Sequence, residues 1–353
     1  MHPRTSRLRV GALVLGLLAG CLALPSPADP ASAPGQEKKS QSSDRKRTTK
    51  PELAPAPGAP SPEQNRQFKI GVRVDLVLVY ASVVDKNGVF VGGLKKEDFT
   101  LLEDGVRQEI TYFSQEDVPL SMGFAIDTSG SMRNKYSTVS RAALSFIRSS
   151  ISQDQVFLLG FNDEVELLED FTNDIDLITD ALENTVVTGG TALYDAVYLG
   201  VQKAQDGIHQ KKALIVFSDG EDRDSYYKLE EMAAKVQESD VQVFTIGFLN
   251  PIPDKGLFGR WSKSVPEKAR DALKLISEET GGKAFFPKDL NEIGAIVSEI
   301  GQDLRNQYGV GYISSNTARD GNYRRIKISL NAGTPAGASV RHRRGYIAPK
   351  GTL

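Results

Sequence analysis

The sequence predicts an α/β fold in which a mainly parallel sheet with helices on both faces is inserted in a small β-sandwich-like unit built from both flanks. Two observations lead to this prediction. From Pro119 onwards, unbroken apolar runs alternate with helical patterns, as is typical of a parallel sheet that is covered on both faces. On either side of that region, apolar residues alternate with polar ones, which is the period of half-buried antiparallel strands.

The bulk composition limits the function classes. The chain has 353 residues, of which 40% are hydrophobic and 25% charged, with a formal net charge of -2. Its length favours about two domains, and its charge balance gives no basis for a nucleic-acid partner. The single cysteine excludes an intramolecular disulfide and a zinc site of several thiolates. The three histidines are scattered, and none has a partner at metal-ligand spacing.

The first 24 residues have the pattern of a signal peptide. Three arginines precede an apolar run over residues 10–24, which is too short for a comfortable membrane span and suits the core of an export signal. We therefore predict that residues 1–24 direct export of the chain, and export of a chain without disulfides suits a bacterium.

The only cysteine lies inside this run, in the string Leu18-Ala19-Gly20-Cys21. The string resembles the bacterial lipobox, in which signal peptidase cuts before the cysteine and the thiol is acylated. This resemblance implies lipidation of Cys21 and a lipid-anchored protein of the bacterial cell envelope, facing the periplasm or the cell surface. The alternative is an ordinary signal peptide that is cleaved further on, near Ala31 or Ala33. Both alternatives export the chain.

Residues 25–67 are rich in Pro, Ala, Ser and Lys and have almost no large apolar side chains. Such a segment cannot bury enough surface to offset the entropy lost on ordering. We therefore predict a disordered linker that is basic and solvated.

Residues 68–118 have the pattern of a small β unit. Apolar and polar residues alternate over residues 70–80, and turn signals at 85–88 and 103–105 separate further apolar stretches. The predicted strands cover residues 70–80, 89–91, 100–102 and 110–113.

Residues 119–305 alternate between strand and helix patterns. Apolar positions recur at helical spacing in residues 139–151, 175–182, 193–201, 229–236 and 290–305. A further helix begins near Ser264, where Glu267 completes a capping-box pattern, and ends at Gly281-Gly282. The apolar runs predicted as strands are 122–126, 156–159, 165–168, 213–217, 241–246 and 284–286.

The β pattern returns in residues 306–353, with predicted strands at 310–313, 326–330 and 340–347. This segment and residues 68–118 are each too small to form a stable unit alone. We therefore expect the two segments to pair with each other around the α/β domain.

Small oxygen-bearing side chains follow the strands of the α/β region. Asp127, Ser129 and Ser131 come directly after one strand, Asp219 follows another, and Thr191 opens a helix. Because ligands bind at the carboxyl ends of parallel strands, we expect these side chains to meet at one edge of the sheet. The set offers oxygen only, which suits Mg²⁺, or Mn²⁺ or Ca²⁺, in a site of about six oxygens. With at most two carboxylates, the ion remains under-neutralised and accepts one more anionic oxygen from a partner.

These residues also have structural alternatives. The two serines could cap the following helix, and Asp127 could hold backbone amides of the loop. Asp163, Asp195 and Asp222 lie nearby and are expected to act as caps or solvated charges rather than as ligands, with Asp195 also able to orient the Thr191 loop. Tyr194 and Tyr226 could line the rim of a partner site or be packing residues. The loop over residues 249–263, which contains Trp261, could be part of the recognition surface or pack on the sheet.

The pattern Asp127-x-Ser129-x-Ser131, followed by Thr191 and Asp219, resembles the metal-ion-dependent adhesion site of von Willebrand factor type A domains. The whole α/β region, residues 119–305, resembles one such domain, and both flanks are similar to the arms of exported bacterial proteins related to this family. The resemblance implies a Rossmann-like sheet used for adhesion and complex assembly, usually without catalysis. It also implies that the two serines coordinate the ion directly, the threonine in one state, and the two aspartates directly or through water.

We therefore expect an exported, metal-dependent protein-binding module that captures an Asp or Glu carboxylate of a partner protein. One alternative is a structural envelope lipoprotein with a non-functional metal site. A phosphatase-like hydrolase of the haloacid dehalogenase kind needs an acid two residues after Asp127 as proton donor, where this chain has Ser129. The sequence also lacks a G-x-S-x-G elbow with a matching histidine and a Walker loop, so we expect no enzyme activity.

Overall fold

The computed structural model describes residues 75–249, 264–334 and 337–351. The predicted signal peptide, Cys21, the predicted linker and Trp261 lie outside these residues. The strands in chain order are β1 (Leu76–Val84), β2 (Phe99–Glu103), β3 (Val106–Gln108), β4 (Ile110–Ser114), β5 (Leu120–Asp127), β6 (Gln155–Phe161), β7 (Val165–Thr172), β8 (Lys211–Ser218), β9 (Gln242–Gly247), β10 (Ala284–Phe285), β11 (Tyr308–Ile313), β12 (Tyr323–Leu330), β13 (Ser339–His342) and β14 (Gly345–Ile347).

Helices follow most of the central strands. They are α1 (Tyr136–Arg148), α2 (Ile175–Glu183), α3 (Leu193–Gln205), α4 (Leu229–Glu238), α5 (Val265–Thr280) and α6 (Ile293–Arg305). The predicted start of α5 is confirmed, because Ser264 is its N-cap and forms a capping box with Glu267. Its end is confirmed as well, because Gly281 takes the left-handed conformation of a C-cap at φ 78°.

The central sheet has six strands in the order β10-β9-β8-β5-β6-β7. All neighbours are parallel except β7, which is an antiparallel edge strand beside β6. Helices α1, α2 and α6 pack on one face and α3, α4 and α5 on the other, each around its own apolar cluster. Every residue of β5 is buried, which explains why its sequence shows a continuous apolar run instead of alternation.

Two further four-stranded sheets combine strands from both flanks, in the orders β13-β1-β11-β4 and β14-β12-β2-β3. Leu78 of β1 pairs with Gly311 of β11, and Leu101 of β2 pairs with Ile328 of β12, all antiparallel. The two sheets share one apolar cluster that includes Val79 and Phe99. The predicted fold class, an α/β sheet inserted in a β-sandwich-like unit, is therefore confirmed.

Three local predictions differ from the structure. Residues 89–91 form only an isolated bridge from Phe90 to Val84, because the Asp85 carboxylate accepts the amide of Val89 and closes a turn. The strand predicted over residues 340–347 is divided into β13 and β14, which lie in different sheets. The chain changes sheet at Arg344, whose backbone bonds to both Glu279 and Ile326.

The third difference concerns the end of α1, which was expected to extend to Ile151. The helix ends at Arg148, where the backbone bonds tighten: the N–H of Ser149 also reaches the carbonyl of Phe146, and that of Ser150 bonds to Ile147. The hydroxyls of Ser149 and Ser150 both donate to the carbonyl of Phe146 as well. Ile151 therefore leaves the apolar face of the helix and is partly exposed.

Among the helices of the described ranges, none is long and apolar enough to cross a membrane.

Candidate metal centre

The candidate site lies where β5 and β8 end side by side. Ile126 of β5 pairs with Phe217 of β8, so Asp127 and Asp219 follow neighbouring strands at the same edge. In the sheet, β6 lies on one side of β5 and β8 lies on the other. The strand order therefore reverses at β5. Ligands of open α/β sheets bind in the crevice at such a point.

Asp127 is fully buried and held by two donors. Its Oδ1 accepts the backbone N–H of Ser129 at 2.9 Å, and its Oδ2 accepts the hydroxyl of Ser218 at 2.7 Å. Burial raises the pKa of the Asp127 carboxyl to about 6, and the nearby Asp219 acts in the same direction. Hydrogen bonds from the two serines partly oppose this rise in pKa. The carboxylate is thus well oriented, and no lysine or arginine of the described residues forms a salt bridge with it.

Ser129 and Ser131 place their hydroxyl oxygens 2.9 Å apart. Ser129 is buried and Ser131 is exposed, so the pair reaches from the floor of the crevice to solvent. Ser129 is the N-cap of a short 3₁₀ turn, Gly130–Met132, but its side chain makes no capping bond. The side chain of Ser129 therefore does not act as a helix cap.

A glycine-containing loop over residues 188–191, the Thr191 loop, lies against these serines. The N–H of Thr188 donates to the carbonyl of Thr128 at 2.8 Å, and the N–H of Gly130 donates to that of Gly189 at 3.1 Å. These two backbone bonds bring Thr191, which is buried, to the same edge of the sheet. The structure therefore brings the segments that carry the five predicted ligands together at one edge of the sheet.

Two carboxylates hold the Thr191 loop through its backbone. Asp163 accepts the N–H of Gly190 at 2.6 Å, and Asp224 accepts the N–H of Thr191 at 2.9 Å. A Cβ atom at position 190 would lie 1.9 Å from Oδ2 of Asp224, so any other residue there would displace the carboxylate that holds Thr191. Gly189 has φ 84°, in the left-handed region that glycine adopts without strain.

Asp195 and Asp222 join the start of α3 to the β8–α4 loop, residues 219–228. Asp222 accepts the N–H of Tyr194 at 3.1 Å. Asp195 accepts the N–H groups of Tyr226 and Tyr227 at 2.9 and 2.8 Å. Asp195 thus orients the β8–α4 loop rather than the Thr191 loop for which it was considered.

The two tyrosines considered for the rim differ in exposure. Tyr226 is 85% exposed at the edge of the β8–α4 loop, whereas Tyr194 is half-buried against the cluster beneath α3. Tyr227, which was not singled out, stacks on Tyr198 with ring centroids 3.8 Å apart. Tyr226 is therefore the tyrosine of the pair that is available to a partner.

Sequence reasoning missed Ser218 and Asp224. Ser218 directly precedes Asp219, so its position at the end of an apolar run was the available signal. Asp224 could not be linked to Thr191 from sequence, because the loop that joins them follows no periodic pattern.

The donor set fits a hard divalent cation. It consists of hydroxyl and carboxylate oxygens, as Mg²⁺, Mn²⁺ and Ca²⁺ prefer. Within the described residues, neither Asp127 nor Asp219 forms a salt bridge with a lysine or arginine. The same residues contain no cluster of three or more His, Cys, Asp or Glu side chains arranged as metal ligands. Any cation here would therefore depend on serine and threonine oxygens.

Several crystal structures are similar to this chain. An aerotolerance-related membrane protein of Bacteroides fragilis is 17% identical and covers 52% of this chain and 98% of its own, with a TM-score of 0.41. BatB of Bacteroides thetaiotaomicron is 20% identical, with coverages of 52% and 98% and a TM-score of 0.41. The von Willebrand factor domain of a type V pilus tip protein of Porphyromonas gingivalis is 14% identical, with coverages of 53% and 95% and a TM-score of 0.42.

No curated protein sequence matches the chain. The family model of the von Willebrand factor type A domain matches residues 122–299, from within β5 to within α6. This region contains the central sheet and all five residues of the crevice. The chain belongs to the von Willebrand factor type A domain family.

Proposed function

We propose that the chain is an exported, divalent-metal-dependent adhesion module that captures an acidic group of a partner protein. The observation that carries this proposal is the hydroxyl pair of Ser129 and Ser131, 2.9 Å apart, beside the buried carboxylate of Asp127. A buried carboxylate that accepts two hydrogen bonds but has no cation beside it is costly, and a divalent ion would offset that cost.

Each residue has a distinct part in this proposal. The hydroxyls of Ser129, Ser131 and Thr191 would be neutral ligands, and Asp127 and Asp219 would supply the negative charge directly or through water. A bound Mg²⁺, Mn²⁺ or Ca²⁺ would supply an electrophilic centre for a further anionic oxygen. Because Ser131 is the exposed member of the set, a partner's Asp or Glu carboxylate would approach on its side.

The same set does not support catalysis. A hydrolase built on Asp127 as nucleophile needs a proton donor for the leaving group, and the side chain two residues later is Ser129. Its hydroxyl is bonded to that of Ser131, and Ser129 itself is buried. We therefore propose binding without chemical conversion of the partner.

Export and lipidation of Cys21 complete the proposal, since they would place the module at the bacterial envelope. Labelled palmitate should be incorporated into the wild-type chain and not into a Cys21→Ala variant. Equal labelling of the two chains, or none in either, would argue for an ordinary signal peptide.

Calorimetric titration of Mg²⁺ and Mn²⁺ tests the metal site. We expect saturable binding to the wild-type chain, loss of binding in Asp127→Ala, and affinity reduced about tenfold in Ser131→Ala, which corresponds to about 1.4 kcal/mol. Ser137→Ala is the matched control, because Ser137 is also an exposed serine but lies in the first turn of α1. Equal affinities of the two serine variants would contradict the proposal.

The structural alternative, an envelope lipoprotein whose site does not work, makes a different prediction. In that case Asp127→Ala would change the free energy of unfolding by the same amount with and without Mg²⁺. Urea unfolding with and without Mg²⁺ separates the two, because a ligand that binds only the folded state raises the free energy of unfolding by an amount that grows with the logarithm of its concentration above Kd.

A further inference from the structure

A cavity lies at the opposite end of the central sheet from the candidate metal centre. Its volume is about 930 Å³, and its walls are the start of β1, the starts of β8 and β9, the end of α4, and the segments that follow β11 and β14. Small-molecule sites occupy about 300–1,000 Å³, so this cavity is large enough for one. It lies at the amino end of β8, whose carboxyl end precedes Asp219, and the two sites are therefore separate.

One wall of the cavity is apolar. Leu76 of β1 and Ile313 of β11 are direct cross-strand partners, and both line the cavity. They are 50% and 47% exposed, although large aliphatic side chains in this pair of strands are otherwise mostly buried. Leu78 and Tyr346 extend this wall. A ligand with an apolar body would remove this surface from water.

The polar part of the cavity wall includes Arg343. One of its terminal nitrogens donates to the carbonyl of Leu78 at 2.9 Å, and its guanidinium lies 5.8 Å from the ring of Tyr346. Its Nε is buried and has no hydrogen-bond partner. Burial lowers the pKa of Arg343. Within the described residues no carboxylate forms a salt bridge with it, in contrast to Arg344 beside it, which pairs with Glu279.

Arg319 is a second cation on the cavity wall, and its guanidinium pairs with Asp75. Among the described residues its Nε is also buried without a partner. Of the other carboxylates on the cavity wall, Asp240 pairs with Lys212 and attracts Arg343 through space without a salt bridge to it, and Glu238 is exposed. Among the described residues no carboxylate bonds directly to this half-buried guanidinium, so an anion that does so would stabilise it. The cavity therefore has donors for an anion and an apolar wall beside them.

We propose that this cavity binds a small amphipathic anion, in which an apolar body packs on Leu76 and Ile313 and an anionic head accepts a hydrogen bond from the guanidinium group of Arg343. A carboxylate is the simplest head group of this kind, because charge-assisted hydrogen bonds from a guanidinium group to a carboxylate are strong. This inference does not depend on the metal site.

Dodecanoate, below its critical micelle concentration, is a suitable probe for calorimetric titration of the full chain. Dodecyltrimethylammonium has the same apolar chain and the opposite charge. We expect saturable binding of one dodecanoate per chain, and binding of the cation that is weaker by about tenfold or more. A chelator of divalent metals should leave the dodecanoate affinity unchanged, which separates this result from the outcome at the metal centre.

Two substitutions locate the binding. Ile313→Glu places a carboxylate on the apolar wall and should weaken dodecanoate binding by about tenfold or more, since like charges repel. Leu167→Glu is the matched control, because Leu167 is also a strand residue and is 46% exposed, but on β7. Arg343→Gln should weaken binding as much as Ile313→Glu does, and unfolding curves establish that each variant is folded.

Several results would overturn the proposal: no saturable binding of dodecanoate, equal affinity for the anion and the cation, or equal effects of the Ile313 and Leu167 substitutions. If Arg343→Gln does not fold, Ile313→Glu still decides the question, because its side chain is half exposed and its strand pairing is through the backbone.

Discussion

Gly190 shows how a single residue without a side chain shapes the candidate metal centre. Its N–H is held by Asp163, and the space that a Cβ would fill is occupied by Asp224. Both carboxylates position the loop that carries Thr191. The ligand geometry therefore depends on a residue that cannot itself be a ligand.

We predict that Gly190→Ala displaces the Thr191 loop. The substitution should lower the free energy of unfolding by roughly 1–3 kcal/mol, as expected for overpacking at a tight contact. It should also weaken Mg²⁺ binding by about tenfold, or about 1.4 kcal/mol. Urea unfolding and calorimetric titration measure the two effects.

Gly294→Ala is the matched control for this prediction. A Cβ at position 294 meets nothing within 4 Å, and the residue lies in the first turn of α6. Alanine should stabilise that helix by about 0.5–1 kcal/mol and leave metal binding unchanged. If both glycine variants bind Mg²⁺ equally well, the Thr191 loop is not part of the site.

The candidate ligands were predictable from sequence because each follows a recognisable strand or opens a helix. Asp127 and Asp219 end apolar runs, and the carboxyl ends of neighbouring parallel strands meet. The residues that position them were predictable to different degrees. Ser218 ends the apolar run of β8, so its place beside Asp127 at the end of β5 follows from the pairing of the strands. Asp224 acts through a contact between two loops, and such contacts have no periodicity in the chain.

At the scale of elements, His342 links β13 to β12. The backbone N–H of Ile328 donates to Nε2 of His342 at 2.9 Å, and the carbonyl of Arg343 lies 2.7 Å from its Nδ1. Because an N–H group can only donate, Nε2 must be the acceptor and the imidazole is neutral with its proton on Nδ1. Protonation would place two N–H groups against each other.

This geometry predicts a loss of stability in acid. Burial lowers the pKa of His342 below its ordinary value, so the unfolded chain takes up a proton at a higher pH than the folded chain does. The free energy of unfolding should therefore fall as the pH decreases through about 6.5, the ordinary histidine value.

Urea unfolding of the wild-type chain and of His342→Gln tests this prediction between about pH 7.5 and about pH 5.5, where histidine titrates. Glutamine can accept the same N–H and stays uncharged. Buried carboxyls such as Asp303, whose pKa burial raises, act in the opposite direction in both chains, so the difference between the chains is the relevant quantity. Parallel pH profiles would show that His342 does not contribute.

The strands and helices were predictable to different degrees. The continuous runs of β5 and β8 and the helical faces of α1 to α6 are strong patterns, because burial repeats over eight residues or more. The division between β13 and β14 was not predictable. It depends on Arg344, which pairs with Glu279 of a helix distant in sequence.

At the scale of the whole molecule, the flanking sheets are tied to the central sheet by polar contacts at the end of α6. Asp303 accepts the hydroxyl of Ser82 at 2.5 Å and also pairs with Arg341. The ammonium group of Lys211, at the start of β8, donates to the carbonyl of Leu304. Strands from both flanks therefore contact the same helix end, although they are separated in sequence by the whole α/β region.

This arrangement predicts that the two flanks fold as one cooperative unit. In a chain that ends at Gln307, β1 and β4 lose every strand neighbour and β2 keeps only β3. An isolated two-stranded hairpin is marginal in water, so these strands should lose their protection from hydrogen exchange. In β5 and β8 all neighbouring strands remain, and their amides serve as the internal reference. Exchange measured by mass spectrometry on both chains would contradict the pairing if residues 76–114 were equally protected in each.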